Sequence, residues 1–191
     1  MNKKTIEIMD TTLRDGEQTS GMSFSSSEKL TIAKLLLTEL KVDRIEIASA
    51  RVSKGEFKAA QSITKWAQKN QYLDKVEILT FLDNGISLKW LINSGAKVQN
   101  LLTKGSLNHL KHQIKKTPDE HFREVSNSVL NALEKGIATN VYLEDWSNGM
   151  RNSKGYVYKY LDFLKTLPIK RILLPDTLGI LSPKETYKFL S

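Results

Sequence analysis

Arg14 and Asp15 stand side by side in the stretch TTLRDGEQTSG, residues 11–21, one residue beyond the run TIEIM at residues 5–9. Apolar and polar residues alternate through that run, which predicts a strand, and glycines at 16 and 21 predict its exit into a loop. A cation and an anion at the end of a buried strand are either a solvated loop pair or a working site, because charge is costly to bury. Two other predicted strands end the same way. Glu144 and Asp145 follow VYL, and Asp176 and Thr177 follow ILLP. Taken alone, each carboxylate could cap a helix. Together, an arginine, several carboxylates and a hydroxyl suit a divalent ion holding an oxygen-rich substrate, with a cation nearby to stabilise negative oxygen.

The elements that must position these groups are legible from periodicity. Six strand-like runs recur, TIEIM, RIEIAS, VEILTFL, KVQNLL, TNVYLE and RILLPD, with amphipathic stretches between them. SEKLTIAKLLLTEL carries Leu30, Ala33, Leu37 and Leu40 at helical spacing, and Ser25 with Glu28 predicts a capping box at its start. Thr117-Pro118-Asp119-Glu120 and Ser182-Pro183-Lys184-Glu185 repeat that signal with proline at the first helical position. Gly95 and Gly136 precede the fourth and fifth strands, where left-handed residues end helices.

Strand and helix in alternation mean parallel strands joined by right-handed crossovers, in an open sheet or a closed barrel. A Rossmann-type sheet wants G-x-G-x-x-G after its first strand, and LRDGEQTSG lacks it; a P-loop is absent too. Instead, polar residues recur where strands end: Arg14 and Asp15, Ser49 and Arg51, Thr80, Thr103, Glu144 and Asp145, Asp176 and Thr177. That distribution predicts the active face of an α/β fold of the TIM (β/α)8-barrel type. A complete barrel takes about 250 residues, so 191 residues hold about six βα units. Residues 1–191 are therefore expected to form part of one barrel domain, with the seventh and eighth units absent.

Composition narrows the partners. A hydrophobic fraction of 40% supports a real core. The chain has no cysteine, which excludes disulfides and thiolate metal sites and agrees with an expected cytoplasmic location. No apolar run reaches the ~18 residues of a membrane span, so no membrane partner is expected. A formal charge of +8 asks for an anionic partner. Its basic residues are scattered, with one modest cluster at HLKHQIKK, and no nucleic-acid module is evident, so a large anionic cofactor is expected instead.

DTTLRDGEQ resembles the signature of the DRE-TIM metallolyase superfamily. The resemblance continues through RIEIASARVSKGE, NLLTKGSLNH, NVYLEDWSNGMRNS and LPDTLGILSP, and within the superfamily it is nearest to the 2-isopropylmalate and citramalate synthases. It implies an acyltransferase of branched-chain amino-acid biosynthesis (leucine or isoleucine) that condenses acetyl-CoA with a 2-oxoacid on a divalent metal, Mn, Zn or Mg, in a TIM barrel. By the same resemblance Asp15 is a metal ligand and Arg14 holds the keto oxygen as it gains negative charge. Glu144 acts beside metal and substrate, Thr177 binds the substrate carboxylate, and Gln18 lines the same mouth. A metal and a guanidinium together polarise a ketone without proton transfer, which fits a Claisen condensation.

The resemblance also implies an acceptor pocket closed by Leu79, Leu102 and Tyr142, with room for the methyl of pyruvate and little for an isopropyl group. Any apolar residue can end a barrel strand, and one methylene shifts selectivity by only about 1–3 kcal/mol. Pyruvate and 2-oxoisovalerate therefore both stay open. The family's metal site takes an H-x-H pair, and this chain has none. His109 and His112 lie among Lys111, Lys115 and Lys116, which predicts a solvated helix face; His121 follows a capping box and is expected at the surface. Trp146 and Met150 either cover the mouth or pack, and packing is expected. Two other readings are a non-catalytic fragment or pseudoenzyme and an aldol-cleaving lyase of the superfamily. Strands without neighbours on both sides predict a homo-oligomer.

Overall fold

The structure, a computed structural model, describes residues 6–191. Six strands run in the order β1 (Met9–Asp10), β2 (Arg44–Ser49), β3 (Val76–Phe81), β4 (Val98–Lys104), β5 (Ala138–Glu144) and β6 (Arg171–Leu173). Helices intervene: α1 (Ser26–Thr38), α2 (Lys54–Lys69), α3 (Ile86–Ser94), α4 (Pro118–Glu134), α5 (Trp146–Asn152), α6 (Lys154–Leu164) and α7 (Pro183–Leu190). The fold is α/β with six parallel βα units, the repeat of a TIM barrel, as the alternation predicts. Two compact units divide the chain, the first ending at Gln99 and the second beginning at Asn100.

In the first unit, the odd residues of β2 and the even residues of β3 point at helices, so Ile45, Ile47 and Ile78 are buried with Ala33, Leu37, Ala59, Ala60 and Ile63. The alternate face is charged. Arg44 Nη1 lies 3.2 Å from Glu77 Oε1 across the β2–β3 register, both residues buried. That register shifts between Glu46 and Ser49, an irregularity at the strand end where side chains are re-aimed. Ser25 and Glu28 cap each other as predicted, and Gly95 ends α3 at φ +85°.

The structure departs from the sequence pattern at two places. The predicted first strand begins at Thr5, outside the described residues, and the described part is strand only at Met9–Asp10. The buried face of α1 is Lys29, Ala33, Leu36 and Leu37; Leu30 is half-buried, and Leu40 lies beyond the helix end and is exposed.

In the second unit, α4 packs on β5 and joins α6 through an aromatic stack. Phe122 lies 4.8 Å from Phe163 and 5.0 Å from Tyr160, ring to ring, with interplanar angles of 9° and 10°. The Thr117–Glu120 and Ser182–Glu185 boxes form with proline inside the first turn, and Gly136 takes φ +67° before β5. Trp146 and Met150 are buried in packing, Trp146 edge-on to Phe189 at 6.2 Å. No described helix is long and apolar enough to cross a membrane.

Candidate functional site

In the first unit the chain leaves β1 through a turn in which one carbonyl does most of the work. Thr11 O accepts the N–H groups of Arg14, Asp15 and Gly16 at 3.0, 2.8 and 3.2 Å. That winding turns Leu13 into the core and leaves the Arg14 guanidinium at the strand ends. Arg14 Nη1 donates to Asp15 Oδ1 at 2.7 Å, and Arg14 Nε pairs with the fully buried Glu46 of β2. Asp15 is the outer member, its side chain 61% exposed.

Lys29 supports this loop from below. Its side chain is buried, and its ammonium meets Leu13 O at 3.1 Å, Glu17 at 2.5 Å and Glu56 at 2.5 Å. Three acceptors match the three donors of the ammonium group, so the buried side chain is fully partnered. Gln18 is exposed and lines a cleft of about 560 Å³ with Arg14, Glu17, Ser49 and Ser53. Leu79 is buried on β3. Arg51 turns instead to Asp83, 2.8 Å away.

In the second unit the even positions of β4 and β5 share a face and form layers. Asn140 donates to Asn100 at 2.8 Å, both fully buried. Leu102 and Tyr142 come next, half-buried. Lys104 and Glu144 then form an ion pair at the strand ends. Asp145 follows in the left-handed region, φ +64°, an uncommon conformation for a residue with a side chain. Its carboxylate accepts from Ser106 Oγ at 2.5 Å and Asn148 Nδ2 at 2.8 Å, and its N–H donates to Thr177 Oγ1 at 2.9 Å. With its oxygen accepting, the Thr177 hydroxyl keeps its proton to donate. Asp176 turns away to accept the Leu181 N–H, the bond that chiefly lowers its pKa.

Several strand-end assignments change. Thr80 and Thr103 are buried and bond structurally, to Gln99 Oε1 at 3.1 Å and to Tyr142 O at 2.6 Å. His121 is fully buried, because α4 turns that face into the aromatic stack. His109 is half-buried, with Nε2 3.6 Å from Asp145, whereas His112 is exposed as expected. The residues missed were Lys29, Glu46 and Lys104. Glu46 carried a readable signal: in a βα repeat both strand faces are covered, so a glutamate between two isoleucines needs a buried partner.

The described residues do not by themselves fit a divalent ion. Asp15 already serves Arg14, and no group of three or more His, Cys, Asp or Glu side chains among the described residues converges as a cage.

With that geometry in hand, similarity to known proteins is decisive on family. A profile of the HMGL-like family matches residues 5–191. The chain belongs to the HMGL-like family. It is 34% identical over 181 residues to the (R)-citramalate synthase of Methanocaldococcus jannaschii, covering 95% of this chain and 35% of that protein. It is 31% identical over 193 residues to the 2-isopropylmalate synthase of Sulfolobus acidocaldarius, covering 100% of this chain and 47% of that protein. This HMGL-like chain thus spans between about a third and a half of the length of these relatives. In fold it matches the crystal structure of the HMG-CoA lyase of Bacillus subtilis at a TM-score of 0.77, over 98% of this chain and 63% of that one. At 19% identity that likeness is one of fold, a partial TIM barrel.

Proposed function

We propose that this HMGL-like chain belongs to an acyltransferase that joins acetyl-CoA to a 2-oxoacid, with pyruvate the favoured acceptor and 2-oxoisovalerate the alternative. The observation that carries the reading is the fixed Arg14 guanidinium, tied at Nε to buried Glu46 and at Nη1 to exposed Asp15. In the reaction, the acetyl methyl loses a proton and its carbon bonds to the keto carbon. The carbonyl π pair moves to oxygen, which is protonated to a hydroxyl, and water cleaves the thioester to release the CoA thiol. Arg14 stabilises the oxygen as it gains charge; a donor fixed in advance costs no reorganisation at that moment. The Thr177 hydroxyl donates to the substrate carboxylate, and Gln18 contributes to binding. Glu144 acts at the same substrate.

Leu79, Leu102 and Tyr142 are assigned to the acceptor pocket, which favours the smaller side chain. Asp15, the exposed member of the Arg14 pair, is proposed as a carboxylate that would be offered to a divalent ion. Residues 1–191 are proposed as part of a TIM-barrel catalytic domain, to which they contribute six βα units. The test is incubation of the intact protein with acetyl-CoA and each 2-oxoacid, with mass analysis of the product. Citramalate exceeding 2-isopropylmalate is expected. Cleavage of an acyl-CoA without condensation would favour an aldol-type lyase instead.

A further inference from the structure

Lys104 ends β4 with its main chain held from both sides. His121 of α4 accepts the Lys104 N–H at Nε2, 3.3 Å away, and Tyr156 of α6 donates its hydroxyl to the Lys104 carbonyl at 2.8 Å. At a strand end the main-chain groups run out of ladder partners, and a buried N–H or C=O left unpaired is costly. Here two side chains from two different helices satisfy one residue.

Both are locked in place by their rings. His121 lies 5.3 Å from Tyr160, and Tyr156 stacks on Phe122 at 6.1 Å and on Tyr160 at 6.0 Å. Acceptance at Nε2 requires a neutral imidazole with its proton on Nδ1. Burial, then the charges of Lys116 and Lys104, push His121 down to about 4, which keeps it neutral. Phenylalanine at both positions would fill the aromatic stack equally well. Packing therefore explains the rings but not the imidazole acceptor or the phenol donor. The two polar atoms meet on the residue whose ammonium pairs with Glu144.

We infer that His121 and Tyr156 clamp the Lys104 peptide, so that Lys104 acts as the positioning residue for the Glu144 carboxylate. The inference rests on the reading of Glu144 as a group acting on substrate. It assigns α4 and α6 a part in aiming that carboxylate.

The test is steady-state kinetics on the intact protein, with melting temperature and exchange of the Lys104 amide measured alongside. Tyr156→Phe keeps the ring and drops the donor, and His121→Leu drops the acceptor. Each is expected to lower kcat by about tenfold, the size of one lost hydrogen bond, with KM for acetyl-CoA unchanged. His121→Gln keeps an acceptor and is expected to restore kcat to within about threefold and to preserve Lys104 amide protection, which His121→Leu loses. Lys104→Met should lower kcat at least as far as either clamp variant. Should His121→Leu fail to fold, Tyr156→Phe carries the test alone. Unchanged kcat in Tyr156→Phe, with Glu144→Gln inactive, would overturn the clamp and leave the proposed function standing. Full activity in Glu144→Gln would remove the role of Glu144 and the clamp with it.

Discussion

Arg14 and His121 show how differently single residues announce themselves. Arg14 sits beside Asp15 in a glycine-bounded loop, so its type and spacing are visible in the sequence. His121 follows a capping box, and the box says where α4 begins but not which side of its first turn faces inward. Burial holds the imidazole neutral down to about pH 4, against 6.5 when unfolded. The unfolded chain therefore binds a proton between those values and the folded chain does not, so stability is full above pH 6.5 and falls as pH drops toward 4. The loss is about 3 kcal/mol. Glu185, held down to about 2 chiefly by Arg151, loses its contribution in a lower window, from 4.5 toward 2. Denaturant titrations across pH should show the upper loss in wild-type protein and a flatter curve in His121→Gln. An equal slope in both would show that His121 is not the group responsible.

At the scale of elements, the caps and turns were legible because each has local chemistry: three capping boxes and two left-handed glycines form where serine, threonine, glutamate and glycine are spaced for them. Which helix face is buried was less so. Leucine fills five of the eleven positions from Leu30 to Leu40, so hydrophobicity alone leaves several faces open on α1, and the triple partnering of Lys29 decides it. Close approach was illegible as well. A Cβ on Gly149 of α5 would lie 2.0 Å from Gly105 O, whereas one on Gly155 of α6 meets nothing within 4 Å. Gly149→Ala is predicted to destabilise by about 1–3 kcal/mol through forced displacement of backbone. Gly155→Ala is predicted to stabilise by about 0.4–1 kcal/mol through the unfolded chain. Thermal melts of both variants check the contrast, and similar shifts of the same sign would refute it.

For the whole molecule, strand–helix alternation left an open sheet or a barrel, and the polar residues recurring at strand ends, with no dinucleotide-binding glycine motif, pointed to the barrel type. The charged interior of the strands was not, since pairs such as Arg44 with Glu77 join residues 33 positions apart. Leu178, Tyr187 and Leu190 are 67%, 76% and 60% exposed, and α7 has no buried residue. Apolar side chains left in water favour association, so sedimentation of the 191-residue chain is expected to show dimers or larger species, and a monomer at all concentrations would contradict this.

The central claim is that Arg14 stabilises the oxygen that becomes negative when acetyl-CoA and a 2-oxoacid are joined. Arg14→Lys tests it most directly, because lysine keeps a cation for buried Glu46 but loses the fork that presents a second nitrogen. Release of CoA thiol with pyruvate should fall by about 10²–10³-fold, with the melting temperature little changed. Turnover in Arg14→Lys close to that of the wild-type protein would contradict it.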